Sequence, residues 1–572
     1  MPRKPLAEMA PHEAREELRK AQAKEAPENQ LFYDGDHYQD GRGYIGPMPG
    51  PNEPGAARVI TELRKGFTSR NAVAEVTQRH ANGVAGREFV WGLTPIRALE
   101  QDEGPNAEEQ ALIDRGEAAL TPWWDARGIH AKLLDAVCTC LHQRRAVVRI
   151  YVPEGRLTRV NVTRDTPEGP QQFSELRAMA PSVEAALDMI YVDTPHPSKA
   201  AVLQDELTVE DVGVHALRVD DQDYVDIYFV RRGASFQPGV TVARRTGDSV
   251  SVDYEYQLGG RLLLGQLERP LFITPQVQQQ QRALNLAQTM IPRNLVTAGF
   301  LERIIRGAQM PGKEVEDPTV PGGKRWVPGE YETGPGTTTW LKPIAYTDTE
   351  GKLHLSNPDV SFREPVSPEH AIAGAAAHYT SILHETDQLH HLITGDATAS
   401  AVSRVEARLD FLHSLRRTQA PLQRLGRWLL ETVLALAEAI AEVPGEYTGI
   451  LRGDFNCRLQ VGQLTSDEQT ALVQLVEAGL VSREDAMALL GTDDVDAAIA
   501  RINSQPGAML DLLKRQFETL LAGINAHLAA EAVIPLLGLN HEQQRALLNS
   551  VVEPEPEDPA RGEPDRRPAL VE

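Results

Sequence analysis

Apolar residues return mostly every three or four positions from Val405 through Leu409, Leu412, Leu415, Leu422, Leu425, Leu429, Val433 and Leu436 to Ile440. That is the period of a helix with one buried stripe. Ser403 and Glu406 stand in capping-box spacing and set the predicted start. At about 1.5 Å per residue, roughly 38 residues span about 57 Å, more than the width of a small domain. Pro421 falls inside and is predicted to kink the helix. Ahead of it lies a second helical stretch, SPEHAIAGAAAHYTSILHETDQLHHL, with Ser367 as N-cap and Pro368 at the first helical position. Its Ala- and Gly-rich beginning suits close packing against a neighbour. A small polar loop, Ile393 to Ser403, joins the two. The arrangement reads as a scaffold that holds a loop at a defined place.

The remaining pattern is mixed. Residues 1–29 are charged and Ala-rich and read as a peripheral N-terminal arm, helical at most. Leu31 to Gly55 is dense in Gly and Pro, an ordered loop pinned by Phe32, Tyr33, Tyr38 and Tyr44. Helices are predicted from Asn71 to Val84 and from Glu108 to Leu120. Pro122-Trp123-Trp124-Asp125 caps a third that runs to Gln143. Strands at Ala146 to Val152 and Asp188 to Val192 flank a short helix near Ser182 to Leu187. The stretch from Val214 to Gln266 is β-rich, with a hairpin turn at Asp220 to Asp223. Thr274-Pro275 opens a helix that runs to Arg306 with Pro292 inside it. Gly307 to Glu364 is Pro/Gly-rich, with short strands near Arg325 to Val327, Thr337 to Leu341 and Lys352 to Leu355. It reads as a module inserted between two long helices. Beyond the long helix, YTGILRGDFNCRLQV reads as a strand pair. Further helices follow, then a Leu-rich helical stretch from Gly507 to Val552 and an acidic, Pro-rich, disordered tail. The fold class is α+β, mainly helical.

Composition narrows the chemistry. The 572 residues suffice for two to four domains. A net charge of −23 argues against free binding to nucleic acid through a generally basic surface. Cys138, Cys140 and Cys457 form no disulfide framework and fit a reducing compartment. Cys138 and Cys140 lack a second CxxC or CxxH partner for a metal site, and Asp34, Asp36 and His37 read as turn residues more than as ligands. The acidic cluster Asp220 to Asp223 lacks the Gly and terminal Glu of a calcium loop. Gly307 to Lys313 has phosphate-loop spacing, but Glu314 replaces the magnesium-binding hydroxyl and a helix precedes it. His384-Glu385 with His390 and His391 misses the zinc-protease spacing. No nucleophile elbow is present, and no carboxylate pair is set apart by an apolar setting. The chain is not expected to be an enzyme. The N-terminus has no apolar core, so no signal peptide is expected. The most apolar window, Gly426 to Val443, carries Arg427, Glu431, Glu438 and Glu442, the pattern of a core helix and not of a membrane span.

Four stretches, in order, carry a resemblance. The first is Tyr33-Asp-Gly-Asp36-His37-Tyr38-Gln39 followed by Gly41, Gly43 and Gly46-Pro47. The second is Arg79-His80-Ala-Asn82-Gly83-Val84 with Gly86-Arg87-Glu88. The third is Thr394-Gly395-Asp396-Ala397-Thr398-Ala399-Ser400 before the long helix. The fourth runs from Glu477 to Ala486, with Asp494-Val495-Asp496 and Ala500-Arg501-Ile502. No single one is specific; together they resemble the portal proteins of tailed bacteriophages, of siphophage type. One departure is Ala497-Ala498, where that family carries an acidic pair.

The resemblance implies a wing (30–273 and 403–507), stem helices (274–306 and 365–392), a clip (307–364), a tunnel loop (393–402) and a crown (508–551). It implies a homo-oligomeric ring, expected to be a 12-mer, at one capsid vertex of the virion, assembled in the host cytoplasm. Double-stranded DNA would pass through it without sequence recognition. The terminase large subunit, a head–tail adaptor and the major capsid or scaffold protein would be partners; no membrane, metal or cofactor is implied. Thr394, Gly395, Asp396, Ala397, Thr398, Ala399 and Ser400 would face the channel. Arg303, Arg306, Lys313, Lys324, Arg325 and Lys342 would be phosphate contacts near the clip, with solvated or subunit-bridging charge as the alternative. Two other readings stay open: another ring-forming collar or adaptor, and an enzyme acting on DNA or nucleotides.

Overall fold

The chain enters on packed helices. In the computed structural model, residues 4–37, 61, 66–97, 104–166, 169–231, 239–298, 302–309, 312–316, 323–329, 341–363, 367–388, 400–492 and 499 are described. Helix α1 (Pro11–Ala21) sets Ala14 and Leu18 four residues apart on one face. With Leu6 and Met9 they form a core with Ala201, Val212, Val214, Ala216, Val225 and Ile227. The expected peripheral arm is therefore part of the body, because its few apolar residues share one helical face. Phe32 and Tyr33, expected in a loop, lie in α2 (Ala26–Asp34), which ends at Gly35 with φ +81°. Tyr38 and Tyr44 lie outside the described residues.

Helix α3 (Ala72–Ala85) starts where the Asn71 side chain accepts a hydrogen bond from Ala74 N, and strand β1 (Val90–Pro95) follows. The predicted break at Pro122 does not occur. Helix α4 (Ala107–Arg127) runs through the proline and stops at Gly128, φ +58°. Pro removes one backbone hydrogen bond, while buried Leu120, Trp123 and Trp124 hold both sides of it in place. Helix α5 (Ile129–Gln143) then delivers β2 (Arg145–Tyr151). A hairpin not foreseen from the pattern follows, β3 (Thr158–Thr166) with β4 (Gly169–Arg177). Ser182 caps the short α6 (Val183–Leu187), and β5 is reduced to Tyr191–Asp193.

The β-rich region resolves into β6 (Ala200–Gln204), β7 (Asp211–Val219), β8 (Gln222–Val230), β9 (Val240–Thr246), β10 (Val250–Gln257) and β11 (Leu264–Glu268). The first five form an antiparallel sheet in the order β10-β9-β8-β7-β6, and β11-β2-β5 form a second. The expected hairpin turn is tight. Val219 pairs with Gln222, and Asp220 and Asp221 take φ of +48° and +63°, the paired positive values of a type I′ turn. Arg15 of α1 grips the neighbouring Asp223.

Helix α7 (Pro275–Ala298) is shorter than predicted. Residues expected at its end form a strand, β12 (Glu302–Arg306), paired with β17 (Asp359–Arg363). Between them stand two ribbons, β13 (Gly312–Glu316) with β14 (Lys324–Pro328), and β15 (Ala345–Thr347) with β16 (Leu353–Leu355). Helix α8 (Glu369–Glu385) begins two residues after Ser367, whose hydroxyl accepts from Glu369 N at 3.2 Å. Helix α9 (Ala401–Ile440) is continuous over 40 residues with Pro421 inside. Ser400, not Ser403, is its cap; its Oγ accepts from Ser403 N at 3.1 Å. The predicted strand pair after it is one strand, β18 (Leu451–Asn456), whose partner is β1.

Helix α9 packs against α3, α6, β10, β11 and β18. Two of these contacts need glycine. A Cβ on Gly426 would lie 2.3 Å from the Phe455 ring, and one on Gly265 would lie 2.4 Å from Trp428. The described residues form two compact units, 1–472 and 473–572. Gly479 (φ +70°) follows the end of helix α10 (Ser466–Glu477), and Ser482 caps α11 (Arg483–Leu489). Among the described residues no helix is long and apolar enough to cross a membrane.

The inner stripe of α7 is polar. Gln278, Gln281, Asn285 and Thr289 are all buried. Gln278 Nε2 donates to Asn29 Oδ1 at 2.7 Å. Gln281 Nε2 donates to Arg70 O at 2.8 Å and to Asn285 Oδ1 at 2.9 Å, while its Oε1 accepts from Val73 N. Thr289 Oγ1 and the Thr68 backbone bond in both directions. Side-chain amides thus take up the backbone groups of an irregular segment that has no ladder partner. Replacing Gln281 by Ala orphans these buried groups and is expected to cost about 2–4 kcal/mol. Replacing the exposed Gln279 by Ala should cost almost nothing, and denaturant unfolding of the two variants checks the contrast.

Candidate functional site

Of the candidate loop residues, Thr394 to Ala399 lie outside the described residues and Ser400 is the helix cap already noted. Both attachment points are described. Helix α8 ends with Asp387 in the left-handed region, φ +50°. Asp387 N donates to His384 O at 3.1 Å and Gln388 N to Leu383 O at 2.8 Å. These are the two bonds of a Schellman cap, here with Asp where Gly is usual. Gln388 is buried, and Arg79 Nη1 donates to its Oε1 at 3.4 Å. The 389–399 segment therefore leaves from a buried, capped residue and re-enters at a serine N-cap.

Glu75 of α3 fixes α8 laterally. Its Oε1 accepts from the Tyr379 hydroxyl at 2.7 Å and from Arg79 Nη2 at 2.9 Å. The Arg70 guanidinium lies 3.6 Å from the Tyr379 ring centroid. Burial works against the Glu75 carboxylate, but the tyrosine hydroxyl and the two arginines outweigh it and hold its pKa below the ordinary value.

Beneath this lies a buried polar junction. Arg269 Nη1 donates to Thr418 Oγ1 at 2.6 Å and to His80 Nε2 at 3.1 Å. His80 is therefore neutral; burial, then the Arg269 charge, holds it well below its usual range. Further along α9, the Arg408–Glu468 pair is almost wholly buried. Arg408 donates to Val461 O, Gln463 O and Glu468 Oε2 at 3.0, 2.9 and 3.1 Å. It fastens the 461–468 stretch to α9.

The candidate cations share one module without forming one surface. Lys313 and Arg325 fall on the same face of the β13–β14 ribbon, since Lys313 pairs with Val327 and Val315 with Arg325. Both are exposed. Lys324 falls on the other face, opposite Glu316 and 3.4 Å from Glu314. Arg306 stands opposite Asp359 and Arg303 opposite Phe362 in a different ribbon; the Arg303 side chain lies outside the described ones. Lys342 is exposed, and its carbonyl accepts from Gln309 N at 2.6 Å. Lys324 and Arg306 thus stand opposite carboxylates, whereas Lys313 and Arg325 stand opposite valines.

Sequence reasoning missed Glu75, Arg269 and the amide stripe of α7. The stripe had a signal: 278, 281, 285 and 289 recur at helical spacing. No protein-family model matches the chain, and no curated protein matches it.

Two buried histidines set a pH response. Burial drags His142 down to about 4, and His80 is lowered likewise. The unfolded chain takes up protons at these positions below about 6.5. The folded state does not, so stability is lost as the pH falls from about 6.5 towards 4. Unfolding free energies at several pH values should decline over that window, and His142→Gln should make the decline shallower.

Proposed function

We propose that this chain is the subunit of a phage portal, a ring through which double-stranded DNA enters and leaves the capsid. The observation that supports the reading is the antiparallel pairing of α7 with α8 and what stands at its end. Gln276 Nε2 donates to Glu385 at 2.6 Å near one end, and His378 Nδ1 lies 2.8 Å from Gln280 Oε1 one helical turn on. The chain leaves the other end as β12, returns as β17, and carries the two small ribbons between them. In this reading the helix pair is the stem and the ribbons are the clip. The 393–402 stretch is the tunnel loop, and the sheets with α9 make up the wing. Residues 508–551 would form the crown.

Surface character agrees with such an assembly. Ile372 on α8 is 50% exposed, and Leu353 and Leu355 on β16 are 69% and 65% exposed. Apolar residues in this setting suit burial between subunits. The −23 charge of each copy is repeated around the ring, and a predominantly acidic wall keeps DNA from sticking. Contacts through loop hydroxyls and amides would touch the phosphate backbone and carry no sequence information. The translocating energy comes from a separate ATPase, the terminase.

Electron imaging and the native mass of the purified chain test the reading. The expected result is a closed ring of about twelve copies; a monomer at assembly concentrations overturns it. Deleting residues 395–399 should leave the ring intact and impair DNA packaging or retention. Normal packaging would remove the loop from the mechanism.

A further inference from the structure

A cleft of about 660 Å³ opens between the start of α2, the turn after α5, the stretch that follows β11, and α9. Its walls include Glu25, Arg144, Glu268, Arg269 and Arg424. Arg269 is 8% exposed. Its Nε donates to Pro270 O and its Nη1 to Thr418 and His80. Among the described residues Nη2 has no partner, and no carboxylate lies within ion-pair distance of the guanidinium. Buried cations are ordinarily matched by a counter-charge, because desolvating an unmatched one is costly. Burial draws this guanidinium down to about 10. Arg145, next in the chain to Arg144, is also buried, and among the described residues its guanidinium donates only to the backbone carbonyls of Leu18, Ala21 and Pro197. Arg424, on the opposite wall, is exposed and carries no ion pair among the described residues. Arg144, at φ +73°, lies 3.6 Å from Glu268.

We propose that this cleft binds a phosphate oxyanion, with Arg269 at its floor and Arg144 and Arg424 at its rim. The remaining N–H groups of Arg269, both on Nη2, can make charge-assisted hydrogen bonds to a tetrahedral oxyanion. The two carboxylates at the rim limit the affinity: Glu268 is shared with Arg144, and Glu25 opposes the ligand. The phosphate is either free or a phosphodiester of DNA. The inference does not depend on the portal reading.

The full chain is titrated with inorganic phosphate at constant ionic strength, chloride being the balancing salt, and the thermal midpoint is followed. The expected result is a saturable rise. Arg424→Gln, an exposed change, should leave the unliganded midpoint in place and weaken apparent binding about tenfold, the loss of one charge-assisted contact. Glu25→Gln should tighten it. These opposite directions separate ligand binding from altered folding, which Arg269→Gln alone would confound. No saturable shift, or equal shifts in all three proteins, overturns the proposal. Displacement of phosphate by a short DNA duplex would assign the site to backbone phosphodiesters, and failure to displace it would assign the site to the free ion.

Discussion

Close approach to one helix governs the architecture. Helix α9 offers a buried stripe from Val405 to Ile440, and the elements that cover it come from widely separated parts of the chain. Two of them reach it at glycine, where a side chain would collide with Phe455 or Trp428. The helix end is closed in the same economical way. Buried Glu438 accepts from Gly445 N and the Thr448 hydroxyl on one oxygen and from Tyr447 N and Thr448 N on the other. A carboxylate here does the work of several missing backbone partners. The proline at 421 is absorbed because apolar contacts on both sides outweigh one lost hydrogen bond.

Much of this was legible in the sequence, wherever apolar period and local chemistry agreed. The α9 stripe and the Asp220–Asp221 turn each combine the two, and two predicted helices begin at Asn71 and Ser182, which the structure makes their caps. Where they parted, the reading failed. Residues 302–306 looked like the end of a helix because Ile304 and Ile305 are apolar, yet pairing with 359–363 makes them a strand. The N-terminal helices looked like an arm because few apolar residues mark them, but those few share one face. The polar stripe of α7 was invisible to any argument in which polar means exposed. Of the candidate site, the register placed Lys313 and Arg325 together and Lys324 apart, a distinction that composition cannot make.

Two buried arginines are held by neutral groups, and a third by a carboxylate as well. Arg145 rests on three carbonyls, Arg269 on a hydroxyl, an imidazole and a carbonyl, and Arg408 on two carbonyls and one carboxylate. Carbonyl ligation fixes geometry without cancelling charge. The proposed oxyanion site draws on Arg269 in this way.

The pairing of β1 with β18 also bears on how the chain is made. These strands are separated by roughly 360 residues, and contacts of such long range form late and slowly. During synthesis β1 emerges early and must wait with an open edge until β18 and α9 have left the ribosome. A truncated product would keep that edge available for misassociation.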